Sequence, residues 1–181
     1  MQRDIKELTN FYALIGADKI RHSQNTLMAH AIGVYKYLKN HGCDEAVCHA
    51  GLFHSIYGTE LFQRFKLPLE RRTELRSLIG EYAEKLVYIN CFINRASLDA
   101  VMHLLEDPHT VIHRETGEEF ILDKREFDDL VLLNLYDHLE QVERTQEWDY
   151  RRSGYRAMAE RCGGTAQEIY HEVSAHEMAN T

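Results

Sequence analysis

Two histidines and one aspartate carry the strongest chemical signal in this sequence. His30 lies in Thr26-Leu-Met-Ala-His30 and His54 ends the run Ala50-Gly-Leu-Phe-His54, so each imidazole sits within an apolar stretch and is expected to point into a core. A buried imidazole costs free energy unless it is hydrogen-bonded or bound to something. A divalent metal is one such partner, and a carboxylate beside it would neutralise part of the ion's charge. Asp137, flanked by apolar residues in Leu135-Tyr-Asp-His-Leu-Glu140, is the candidate acid. A lone buried histidine is more often a hydrogen-bonded core residue than a ligand. The joint pattern of His30, His54 and Asp137 shifts the reading to a metal site holding iron, manganese or zinc.

The elements that would position these groups are helical. There are only two prolines, Pro68 and Pro108, and apolar residues recur at three- and four-residue spacing between them. The first helix is expected to turn Ile5, Leu8, Tyr12 and Ile15 inward and to stop at Gly16. Ser23 would cap a second helix through His30, which ends at Asn40-His41-Gly42. Asp44 would cap a third, with Val47, Ala50, Gly51 and Phe53 in the core and its end between His54 and Gly58. Further helices are predicted over 60–66 as one or two turns, and over 69–79, 81–92 and 97–106. Between 110 and 122 the period changes to that of one small β-hairpin, the only strand signal. Asp123 and Glu126 then form a capping box for a long helix carrying Asp137, and Gly163-Gly164 separates the last two helices. The expected fold is all-α, a single-domain helical bundle over residues 1–181.

The arrangement resembles the HD-domain superfamily of metal-dependent phosphohydrolases and related oxygenases. Their pattern is a histidine, a His-Asp doublet at a helix end, and a distant aspartate. His30, His54 and Asp137 match that order, and Ala50-Gly-Leu-Phe-His-Ser-Ile-Tyr-Gly58 is similar to the family's apolar run, doublet and glycine. Ser55 stands where the family has the doublet's aspartate. A hydroxyl is a poorer ligand and cannot bridge two ions, which removes a support for a dinuclear centre. The string from His54 to Glu60 resembles a small His-Ser subgroup of HD-like proteins. The resemblance implies a metal-dependent hydrolase or oxygenase, and His103, His113, Glu60 and His22 are the groups that would complete the metal shell.

Plainer readings stand beside these. His103 and His113 are expected to be exposed, on a short helix and a hairpin. Tyr57, Thr59 and Glu60 either line a pocket or build the turn after His54. Arg95 either clamps an anionic substrate or forms an ordinary salt bridge. Met28 and Met102 are read as core filler, Trp148 as a packing anchor, and His138 as facing away from Asp137. Arg151, Arg152 and Arg156, flanked by acids, read as a solvated face.

Composition bounds the rest. At 181 residues, 44% hydrophobic and 28% charged, the chain has enough apolar content for one core. A net charge of −8 argues against a nucleic-acid partner. No signal peptide or membrane span is expected, and four cysteines without a Cys-x-x-Cys pair suit a reducing cytoplasm. The leading expectation is an enzyme acting on a small molecule, in which the ion activates water or dioxygen or polarises a substrate oxygen. Ser55 or Tyr57 would hydrogen-bond the substrate or the metal-bound water, and Arg95 would pair with an anionic group of the substrate. The missing aspartate, and the lack of a lysine just after Gly58, put oxidation about level with hydrolysis. The alternatives are a binding or regulatory module without turnover, and an interaction protein whose histidine pair serves stability. The oligomeric state is not legible.

Overall fold

A computed structural model describes residues 4–22 and 25–179. Helices dominate, as the 3.6-residue period requires. α1 (Ile5–Leu14) buries Leu8, Phe11 and Tyr12 and ends where Gly16 adopts a positive φ of 71°. α2 (Leu27–Asn40) is capped by Thr26, whose Oγ1 accepts from the Ala29 amide at 3.1 Å. Ser23, the expected cap, lies outside the described residues, and the helix starts later than its position implies. Before it, β1 (Arg21–His22) and β2 (Asn25–Thr26) pair antiparallel, a ladder too short to leave an alternating pattern in the sequence.

α3 (Glu45–Phe53) follows Asp44, whose carboxylate makes no cap hydrogen bond and accepts from Arg125 instead at 3.4 Å. The predicted turns over 60–66 do not form. There the Thr59 amide donates to the Phe62 carbonyl, the Phe62 amide donates to Thr59 Oγ1, and the Leu67 amide ties back to the Ile56 carbonyl. This segment is a looped-out strap, not a helix. A single 3-10 turn (Leu69–Arg71) leads into α4 (Arg72–Ile79), and Gly80 at φ 90° breaks the chain before α5 (Glu81–Phe92). α6 (Arg95–Ala100) starts earlier than expected because the Asn94 side chain caps it, accepting from the Ser97 amide, and it ends at Ala100, short of the predicted 106.

β3 (His109–Ile112) and β4 (Glu119–Leu122) make the expected hairpin, with Val111 opposite Phe120. The capping box of Asp123 and Glu126 opens α7 (Lys124–Thr145), and α8 (Arg152–Cys162) and α9 (Gly164–Ala179) complete the chain. α2 packs against α3 and α7, α3 also against α5, and α8 against α7. Buried apolar side chains from α1 through α9 join in one cluster. The fold is all-α with two small hairpins. Among the described residues no helix is long and apolar enough to cross a membrane.

Candidate metal centre

Three elements bring the predicted ligands together. His30 faces inward from the first turn of α2, His54 closes the C-terminus of α3, and Asp137 projects from the middle of α7. His30 Nε2 lies 3.2 Å from His54 Nε2 and 3.0 Å from Asp137 Oδ1, and the third side, His54 Nε2 to Asp137 Oδ1, is 3.3 Å. Ligands bonded to one ion at about 2.0–2.1 Å and separated by about 90–110° lie roughly 3.0–3.4 Å apart. The triangle has the dimensions of a coordination face, and the three side chains could hold a metal ion.

The hydrogen bonds behind the triangle set the tautomers. His30 Nδ1 lies 2.6 Å from Glu140 Oε2, and His54 Nδ1 lies 2.8 Å from the Gly51 carbonyl. Both partners only accept, so both Nδ1 atoms carry the proton and donate it. Each Nε2 is thereby aimed at the centre with its lone pair. Two imidazole lone pairs and a carboxylate then converge with no donor among them, and a cation or a proton must sit between them. Without metal the proton takes that role: burial opposes charge on His30, but the bonds to Asp137 and Glu140 outweigh it and raise its pKa to about 9. Burial likewise opposes ionisation of Asp137, yet the charge of His54 and the bonds to both histidines hold it well below the usual carboxylate range.

Sequence reasoning missed the supporting groups. Glu140, one helical turn after Asp137, orients His30 and is held by Arg144 at 2.8 Å; burial raises its pKa, and His30 and Arg144 more than reverse that. Its space comes from Gly33, where a Cβ would run into Glu140 Oε1. Gln141 Nε2 donates to Asp137 Oδ1 at 3.2 Å. Asn90 Nδ2 donates to the His54 carbonyl at 2.7 Å, which anchors the end of α3. The i, i+3 and i+4 spacing of Asp137, Glu140 and Gln141 was the available signal.

The triangle forms part of the floor of a cavity of about 660 Å³, to which His54 and Asp137 contribute while His30 lies beneath, fully buried. Ser55 lines this cavity, and its buried Oγ has no hydrogen-bond partner among the described residues. Arg95 and Thr59 line it too, whereas Tyr57 does not. The Tyr57 hydroxyl turns away to donate to Glu84 at 2.9 Å, in a network with Arg72 and Arg76. Arg95 makes no salt bridge among the described residues; its guanidinium donates to Asn90 at 3.1 Å and to Asn134.

The other shell candidates stay outside the triangle. His103 is exposed, and the side chain of His22 lies outside the described residues. His113 is buried, contrary to expectation, because it stacks on Phe92 and accepts the Glu115 and Thr116 amides of the hairpin turn. Glu60 accepts from the Arg95 amide at 3.1 Å. His138 does not face away from the site. It lines the cavity beside Asp137, stacked on Tyr155 with ring centroids 3.7 Å apart, and burial lowers its pKa to about 4.

Residues 12–95 match one family model, Domain of unknown function (DUF6817). The matched stretch holds His30, His54, Ser55 and Arg95 and stops short of Asp137. No curated protein and no solved structure matches the chain.

Proposed function

We propose that the chain is a metal-dependent enzyme acting on a small molecule by hydrolysis or oxidation, at a mononuclear site of HD-domain type in which His30, His54 and Asp137 hold the ion. The observation that carries this reading is the convergence of three acceptor atoms, 3.0–3.3 Å apart, on the floor of a cavity. A bound iron, manganese or zinc ion would supply Lewis acidity toward a water, dioxygen or a substrate oxygen. The protein's own part is to hold the two imidazoles as Nδ1–H tautomers and to leave the side of the triangle facing the cavity open. Ser55 Oγ, buried beside the cavity without a partner, offers a hydrogen bond to a ligand oxygen. Four cysteines, all free, suit work in the cytoplasm.

The test is activity of the metal-loaded protein against generic phosphomonoesters and phosphodiesters, and oxygen uptake with candidate reductants. Turnover in either assay, abolished in His54→Ala, is the expected result. Metal-loaded protein inert in both would favour a second reading, a ligand-binding module without turnover. Ser55 favours that second reading, since it leaves the site one carboxylate short of the family's doublet.

A further inference from the structure

Two cavity residues outside the metal triangle offer hydrogen-bond donors to the cavity. Arg95 is 8% exposed and cationic, yet among the described residues its guanidinium is bonded only to the amide oxygens of Asn90 and Asn134. The other inward-packed arginines each have a carboxylate: Arg151 has Asp99 at 2.5 Å, Arg161 has Asp128 at 2.8 Å, and Arg72 has Glu84 at 2.6 Å. A desolvated cation without a counter-charge is costly. Neutral amides orient the guanidinium without cancelling its charge, and the Glu60 carboxylate accepts from the Arg95 backbone amide and makes no ion pair with the guanidinium among the described residues.

Tyr155 is the second. It is 6% exposed, lines the same cavity, and its hydroxyl makes no hydrogen bond among the described residues. Its ring is clamped between His138, stacked at 3.7 Å, and the Arg151 guanidinium, 5.1 Å from the ring centroid. Burial pushes the phenol above its ordinary range, against the opposing charges of Arg151 and Arg95, so the group remains a donor. Arg95 and Asp137 line the same cavity, and the charges of both reach the phenol.

We propose that Arg95 and Tyr155 form an anion subsite on the cavity wall, which takes a carboxylate or phosphate group of the ligand while the rest of that ligand lies toward Asp137. A planar guanidinium and a neutral phenol O–H are both donors, and a clamped ring loses little freedom on binding. Two further cations line the cavity, Arg21 and Arg64, both exposed, and Asp137 and Glu147 are the opposing charges there. The orientation toward Asp137 rests on the proposed function, whereas the subsite itself does not.

The experiment is calorimetric titration of the full-length protein with inorganic phosphate and, separately, with acetate, and elemental analysis of each sample. Saturable binding of at least one anion is expected. Tyr155→Phe should weaken it about tenfold, the loss expected for one hydrogen bond to a charged group, and Arg95→Gln should weaken it further, with Arg95→Lys in between. Phosphate binding alone assigns a phosphoryl group and acetate binding alone a carboxylate. Tyr155→Phe removes one oxygen and should keep its melting temperature and metal content, so lost affinity reports the subsite and not the fold or the ion. Absence of saturable binding of either anion, or unchanged affinity in Tyr155→Phe, overturns the subsite. A metal-free wild type that still binds anion in a Tyr155-dependent way overturns the proposed metal chemistry and leaves the subsite standing.

Discussion

At the scale of single residues the site is a problem in supplying donors. His30 and His54 have each spent their Nδ1 proton on a partner, Glu140 and the Gly51 carbonyl, so that two lone pairs and one carboxylate share a centre. If the triangle holds an ion as proposed, Glu140 would set its affinity through the orientation of His30. Glu140→Gln should keep the fold and weaken metal binding by about 10–100-fold in competition with a chelator. Gly33→Ala should do the same through displacement of the carboxylate, since the new methyl would occupy its place. Wild-type affinity in both would show that His30 needs no carboxylate to orient it. The cluster of His30, His54 and Asp137 was legible because polar residues in apolar helical stretches have few explanations. Glu140 was not, because a glutamate near a helix end reads equally well as a surface residue. Tyr57 misled for a related reason: proximity to His54 in sequence says nothing of direction, and its hydroxyl turns the other way, to Glu84.

At the scale of elements, each side chain of the triangle depends on how its helix starts or stops. The capping box of Asp123 was readable from two side chains three residues apart, and it fixes the start of the helix that carries Asp137. Asp123→Ala should cost about 1 kcal/mol, a drop of roughly 2–4 °C in melting temperature for a chain of this size. The strap over 60–66 and the hairpin before α2 were not readable, because both are held by local backbone and hydroxyl bonds that leave no periodic pattern. Behind the strap, Glu84 is fully buried and tied to Arg72, Arg76 and Tyr57. Burial alone would raise its pKa, but the bonds to the arginines and Tyr57 lower it. Its stabilisation is therefore present above the ordinary carboxylate pKa near 4.5 and is lost as pH falls through the lower folded value. Glu84→Gln should cost about 2–3 kcal/mol at neutral pH, less than a fully buried pair because Arg72 and Arg76 are 24% and 42% exposed. Denaturant melts across pH should show a shallower acid limb below pH 4.5 in the variant, and an unchanged limb would place acid sensitivity elsewhere.

At the scale of the whole molecule, α2, α3 and α7 come from distant parts of the chain, and their packing is what closes the triangle. The helical class and the order of elements followed from periodicity, but no local pattern announces that three helices will converge. That step came from the resemblance of the ordered set His30, His54 and Asp137 to the HD-domain pattern. Because the ligands are assembled only in the folded state, an ion binding there should stabilise the fold by mass action, about 2.7 kcal/mol when free metal is a hundredfold above its Kd. A melting temperature that rises with added manganese, iron or zinc in wild type and not in Asp137→Ala is the expected outcome. The most direct test of the centre is elemental analysis of protein purified without chelator. The three-ligand site predicts about one transition-metal ion per chain, lost in His54→Ala and in Asp137→Ala while both variants remain folded. A metal-free wild type after incubation with these ions, or an ion retained when both ligands are removed, would contradict it.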